Sequence, residues 1–360
     1  MNEFSSSRKK SRSLYKIQTF TKNDTGQVAE MAKSYFPEKV SADLYQLKSM
    51  LISGLSESNK SLVCVSPDGT IHGYLAVKLV DFRFKGKPIT GAIFSDFMVN
   101  EEARAVLIPM RMLQTALKGE QDFSFSDDAV HASRLLWCRL GGQIAYPYST
   151  YYTAPLRPAS FSFQVIGKKM SPFIRRFFGA VARSADSFFK ILRVPFFQVI
   201  TNNGLFAREL TGHQLYEGLS SLVSNYELHP IVSSGRMDKF LSSLKREKQY
   251  GELERVALYD NEEKIAGWFI YYRNENGRCN IVHSECLPGK EEALYSSLKF
   301  DAFSKGGINF SGRLSPALMG SSFSEKTFTR PGGKWALIHS HNSELINSIQ
   351  SGKAFLTRCW

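Results

Sequence analysis

The sequence predicts an α/β (α+β) protein of two domains, each a mixed sheet flanked by helices. Three observations carry that reading. Apolar runs of strand length alternate with segments of helical spacing. The order of these elements in the first half recurs in the second. A chain of 360 residues is long for one domain and comfortable for two. Hydrophobic content of 43%, with 27 Phe, fills two cores and excludes wholesale disorder.

Residues 1–13 contain Ser5-Ser6-Ser7-Arg8-Lys9-Lys10-Ser11-Arg12 and read as a disordered basic tail without a signal-peptide core. The N-terminal domain is expected over 14–158. Tyr15 to Phe20 makes a strand, Thr21 to Asp24 caps a helix reaching about Tyr35, and a second helix lies between Ser41 and Leu55. Ser61 to Val65 and Ile71 to Val80 form a hairpin around Pro67-Asp68-Gly69, because Asp-Gly supplies the positive φ of a tight turn. Arg83 to Pro88 is a further turn.

Residues Ile93 to Pro158 are the most informative. Ile93 to Val99 reads as a buried strand and Asn100 to Ala105 as a polar turn. Val106, Met110, Leu113 and Leu117 then recur at helical spacing. A strand at Phe123 to Phe125, a turn at Ser126 to Asp128 and a helix from Ala129 to Leu140 follow. The helix ends at Gly141-Gly142, and a strand spans Ala145 to Thr153. This order calls for a parallel pair with a crossover helix, whose N-terminus is an electropositive seat for phosphate.

Residues 159–200 read as a basic, proline-punctuated linker. Phe173, Phe177, Val181, Phe188 and Leu192 fall near helical spacing beside Arg175, Arg176, Arg183 and Lys190. An interdomain helix is the favoured reading, and a peripheral membrane contact through 165–194 is the rival. In 201–360, helices are expected from Thr211 to Glu227 and from Gly235 to Arg246. A hairpin joins Glu254–Tyr259 to Ile265–Arg273. Then come strand Cys279 to Ser284, helix Glu291 to Ser304, strand Ile308 to Phe310 and strand Trp335 to His339. Gly73-Tyr74-Leu75-Ala76 aligns with Gly267-Trp268-Phe269-Ile270, the mark of a tandem duplication.

The net charge of +13 permits anionic partners, but the chain has no zinc-finger, RNA-binding aromatic or long basic-helix pattern, so nucleic acid is disfavoured. Five Cys lack metal or disulfide spacing, which points to a reducing, cytoplasmic location and no metal. No apolar run approaches the roughly 18–20 residues of a membrane span.

Phe97-Met98-Val99-Asn100-Glu101-Glu102-Ala103-Arg104, followed by a helix and then Ala132-Ser133-Arg134-Leu135-Leu136-Trp137-Cys138-Arg139-Leu140-Gly141-Gly142, resembles the acyl-CoA half of the GNAT N-acetyltransferase superfamily. The chain as a whole is similar to bacterial tandem-GNAT proteins, many of them associated with envelope or polysaccharide work. The resemblance implies two GNAT-like domains with centrally splayed sheets, the first binding CoA and the second degenerate. It implies acetyl-CoA or another acyl-CoA as co-substrate and direct attack of an amine, on a small molecule or a glycan, upon the thioester.

Met98, Val99, Arg104, Ala105, Val106, Leu107 and Ile108 occupy the positions that would hold the cofactor. Asp96 is the candidate base, and Tyr148 and Tyr151 are candidate acids. His283, Glu285 and Arg313 are candidates to line an acceptor pocket between the domains. Three features depart from the family pattern. The loop has no Gly, Val130 or His131 replaces an early-helix Asn, and Trp137 stands where a Tyr acid is usual. The segment Leu287-Pro288-Gly289-Lys290-Glu291-Glu292, in place of a second CoA loop, is acidic. These departures favour a rival reading, a non-catalytic GNAT-like scaffold.

Overall fold

The computed structural model describes residues 15–35, 59–105, 107–166, 205–316, 327–331 and 333–356. The basic tail, the helix expected between Ser41 and Leu55, and the linker beyond Ile166 lie outside the described residues.

Two mixed sheets flanked by helices form the architecture. In the first sheet β1 (Lys16–Thr19), β2 (Leu62–Val65), β3 (Ile71–Phe84) and β4 (Lys87–Val99) run antiparallel in sequence order. Lys85 and Gly86 both adopt positive φ, giving the two-residue turn whose twist suits a long hairpin. Helix α1 (Thr25–Tyr35) follows β1, and β4 then pairs in parallel with β5 (Phe123–Ala129) through a crossover that holds α2 (Glu101–Ala105) and α3 (Ile108–Leu117). Gly91 is needed here, because a Cβ would stand 2.7 Å from the Phe123 ring and 2.8 Å from Phe82.

Several expected boundaries move for identifiable reasons. Asn100 to Ala105 is not an open turn: Glu101 to Ala105 is a short helix, with Glu101 and Glu102 in the first turn where the helix dipole favours acids. Ser126 to Asp128 belongs to β5, because β15 (Trp335–Ser340) supplies a pairing partner for Ser126 and Ala129. The run Ala145 to Thr153 is broken. β6 (Gln143–Ile144) joins the first sheet beside β15, a 3-10 turn covers Tyr146–Tyr148, and β7 (Thr150–Pro155) enters the second sheet.

The described residues fall into two compact units, neither contiguous. One lies within Met1–Tyr146, Glu227–Ile231 and Gly333–Ala354, the other within Pro147–Tyr226, Val232–Gly332 and Phe355–Trp360. The expected division into 14–158 and 201–360 is therefore replaced by an exchange of strands. β7 pairs with β13 (Asn309–Arg313) and β14 (Phe328–Pro331), and β9 (Leu228–Pro230) pairs with β3. The second sheet continues through β12 (Arg278–Cys286), β11 (Ile265–Arg273), β10 (Glu252–Tyr259) and β8 (Phe206–Glu209).

α4 (His131–Arg139) packs with α3 on the first sheet, where Leu75, Val77, Phe94, Met112, Leu113, Trp137 and Leu337 share one core. α5 (Pro158–Ile166) follows β7. In the second unit α6 (Gly212–Val223) and α7 (Ser234–Arg246) cover one face, with Leu215, Leu219, Met237, Leu241, Trp268 and Ile270 in contact. α8 (Glu291–Ser304) covers the other, against Phe269, Tyr271 and Phe310. α9 (Ser343–Gln350) packs on β15 and is capped by the Asn342 side chain, which accepts from the N–H groups of Glu344 and Leu345.

The repeat read from the sequence has a structural counterpart. Gly73 stands opposite Val99, the last residue of β4, and Gly267 stands opposite Cys286, the last residue of β12. Because β15 completes the first unit, Leu337→Ala, at a fully buried position, should cost about 2–5 kcal/mol. Hydrogen exchange should then accelerate in β5 and leave β11 unchanged; acceleration in β11 alone would contradict the strand exchange.

Candidate functional site

β4 and β5 keep company for three residue pairs only, Gly91–Phe123, Ala92–Ser124 and Ile93–Phe125. β4 continues to Val99 with β3 on its other side, and no β5 residue stands opposite Phe94 to Val99. This is the central splay expected from the resemblance. A β-bulge falls between Ser95 and Met98, where Asp96 takes φ 47°. Asp96 is half-buried and accepts a hydrogen bond from the Ser95 hydroxyl at 3.2 Å.

Met98 and Val99 are buried. The Val99 carbonyl, at the strand end, accepts from Arg104 Nε at 2.6 Å and from the Tyr35 hydroxyl. Arg104 also donates to that hydroxyl and stacks on the Tyr35 ring. Arg104 thus ties α1, α2 and the end of β4 together. Ala105 is exposed at the end of α2, and Val106 lies outside the described residues. Leu107 adopts the left-handed conformation (φ 64°, ψ 24°) and is 46% exposed, whereas Ile108 is fully buried. Ala105 and Leu107 are therefore exposed, and Ile108 is turned into the core. Pro109 opens α3 and has no N–H to give a ligand.

The remaining expected residues belong to the second unit. Tyr148 lies in the 3-10 turn, buried rather than on a strand, and Tyr151 is on β7 opposite Arg313 of β13. Arg313 donates to the Tyr151 hydroxyl at 3.0 Å and packs over its ring at 5.4 Å. The second unit repeats the splay: β12 pairs with β13 only over Arg278–Asn280 and runs on to Cys286 with β11 on its other side.

His283 and Glu285 sit on that end, beyond the pairing with β13, 7% and 8% exposed. The Trp268 indole donates to His283 Nδ1 at 2.9 Å and lies parallel to its ring. Burial lowers the His283 pKa to about 4. Burial also raises the Glu285 carboxyl to about 8, against a smaller opposing effect of the Ser315 hydroxyl, which donates to it at 3.3 Å. The Tyr226 hydroxyl is pushed up by burial first and then by Glu285, Tyr148 and Cys286. In the loop before α8, the Gly289 N–H donates to the Glu291 carboxylate at 3.0 Å, so an acidic side chain occupies the position of an anion.

Trp137, at the position of the family's usual Tyr, is a core residue in edge-to-face contact with Phe94. Tyr35 and Tyr226 were missed by sequence reasoning; each ends or follows a helix far from its partners, and no local pattern marks either. Among the described residues no group of three His, Cys, Asp or Glu could hold a metal, and no helix is long and apolar enough to cross a membrane.

The fold is that of the GCN5-related N-acetyltransferases. Three solved structures are similar at 11% identity. A probable N-acyltransferase from Enterococcus faecalis V583 matches over 91% of this chain and 72% of its own, with a TM-score of 0.58. GCN5-related N-acetyltransferases from Kribbella flavida (90% and 70%, TM-score 0.57) and Anabaena variabilis ATCC 29413 (91% and 73%, TM-score 0.58) match comparably. No protein-family model matches the sequence, and no curated protein matches it.

Glu285 makes the second unit's stability depend on pH. Its carboxyl pKa is higher in the folded chain, about 8 against an ordinary 4.5, so folding takes up a proton between these values and stability falls as pH rises through them. Glu285→Gln lacks this loss. Relative to wild type it should gain on the order of a few kcal/mol between about pH 5 and about pH 9 in denaturant unfolding. A difference independent of pH would remove the buried neutral acid.

Proposed function

We propose that the protein is an acyl-CoA-dependent N-acyltransferase whose first unit holds the cofactor. The observation that supports this most is the early end of the β4–β5 pairing. A strand with one side unpaired offers main-chain donors and acceptors to an extended ligand, and the amide-bearing pantetheine arm of CoA is such a ligand. Met98 and Val99 are the strand residues it would meet, and the turn from Ala105 to Ile108 is the segment it would pass. In the reaction the acceptor nitrogen attacks the thioester carbonyl, the C–N bond forms, the C–S bond breaks, and the nitrogen loses a proton. Asp96, at the bulge, is the residue assigned to take it. The thiolate needs no dedicated acid, since a thiol's ordinary pKa of about 8.5 makes it a tolerable leaving group. The acceptor is an amine, on a small molecule or a glycan.

A second reading, a scaffold without CoA chemistry, is favoured by the start of α3, where Pro109 removes a donor and Leu107 stands outward in place of a glycine. Calorimetric titration separates the two. Acetyl-CoA or a longer acyl-CoA is expected to bind at one site per chain, and silence of all of them toward folded protein would leave the scaffold. Leu107→Gly relieves the left-handed strain, worth about 1–2 kcal/mol before glycine's own entropy cost. The variant should therefore be at least as stable as wild type and bind acyl-CoA more tightly. Asp96→Asn should lower turnover at least about 100-fold while leaving acyl-CoA affinity unchanged; full turnover in that variant would remove the base.

A further inference from the structure

The two units place different chemistry at one register position. Opposite Tyr74 of β3 the first unit has Met98, and opposite Trp268 of β11, one residue from the end of the splayed strand, the second has Glu285. Counting back from the strand ends, Asp96 corresponds to His283. The second unit has thus put a carboxyl where its counterpart keeps an apolar side chain, although both positions are buried.

A buried carboxyl normally comes with a cation or several donors, because desolvating it is costly. Glu285 has the Ser315 hydroxyl, and it forms no ion pair among the described residues. The titratable groups that interact with it, Tyr226 from the segment after α6 and Cys286 from its own strand, are both pushed up by burial first and by Glu285 next, and burial pushes His283, two residues away, down, so none of the three brings it a cation.

His283 adds an independent sign. An indole N–H only donates, so Nδ1 of His283 accepts from Trp268 and the ring proton lies on Nε2. That N–H is buried and has no hydrogen-bond partner among the described residues. His283 and Glu285 are two residues apart past the β12 bulge, on the same face of the strand and about 6–7 Å apart. An acceptorless donor and a cationless carboxyl therefore sit side by side. Buried polar groups left this way mark places completed by something else.

We propose that this face of β12 binds a primary amine that also carries a hydroxyl or carbonyl oxygen, with the ammonium on the Glu285 carboxylate and the oxygen accepting from His283 Nε2–H. Aromatic walls complete the site, Trp268 stacked on His283 and Phe355 edge-on to it at 6.2 Å. Binding exchanges one charge for another: the empty site holds Glu285 as a neutral acid, and the incoming ammonium displaces its proton to solvent. As an amine site it stands on the residues of the second unit alone and does not depend on the acyltransferase reading.

The test is calorimetry near pH 7 with D-glucosamine, in two buffers of different ionisation enthalpy, with and without CoA. Glucosamine should bind wild type with release of close to one proton per molecule. Ethylamine, which lacks the oxygen, should bind at least about tenfold more weakly, and glucose should not bind. Glu285→Gln should lose at least about tenfold in affinity together with the proton release. His283→Phe, which keeps the stack on Trp268, should reduce glucosamine to the level of ethylamine. Absence of glucosamine binding under both conditions, binding without proton release, or undiminished binding in folded Glu285→Gln overturns the proposal. Acyl-CoA silence beside proton-linked glucosamine binding removes the acyltransferase reading and keeps the site; acyl-CoA binding without it does the reverse.

Discussion

A parallel pairing that stops after Ile93 and Phe125 is the constraint on which the first unit turns. A buried strand edge cannot leave its amide and carbonyl groups without partners. At its far end β4 meets this need internally, through Arg104 and Tyr35 on the Val99 carbonyl. Nearer the divergence the bulge at Asp96 turns the chain, and no β5 residue stands opposite β4 beyond Ile93. The residues proposed to meet the cofactor and to take the proton, Met98, Val99 and Asp96, lie on β4 beyond that divergence.

The second unit shows how the same frame accommodates other chemistry. It retains the splay, the bulge and the glycine opposite the strand end, yet its loop is covered by Glu291 and its strand end carries Glu285 and His283. Burial governs both groups in opposite directions, raising the acid and lowering the base, so both are neutral near pH 7. A neutral acid beside a neutral imidazole is suited to recognition by hydrogen bonds and to uptake of one cation. It is poorly suited to holding a pyrophosphate. The two units thus share a splayed strand and differ in the side chains it carries, Met98 opposite Tyr74 in one and Glu285 opposite Trp268 in the other.

Much of this was legible in the residues. The Asp68-Gly69 turn, the hairpin strands, α8 and the alignment of Gly73 with Gly267 follow from local turn chemistry, periodicity and repetition, which act over a few residues. Asp96 and Glu285 were legible as acids on apolar strands. What they do in those strands was not, because a half-buried carboxylate at a bulge and a fully buried one with a single hydroxyl partner have similar flanking residues. Arg104 shows the same limit. Its place beside the loop suggested a phosphate ligand, and only the proximity of Tyr35, from α1, showed that it closes the end of β4.

The residues alone determined the fold class and the place of most strands and helices. Tertiary structure decided which sheet each strand joins. The apolar alternation of Thr150 to Pro155 and of Trp335 to Ser340 specifies strands with one buried face, but an edge accepts any strand that fits its register and covers its core. β7 therefore completes the second sheet and β15 the first, each away from its sequence neighbours. Pairing partners hundreds of residues apart leave no local trace, and the membership of Tyr148 and Tyr151 in the second unit is the consequence.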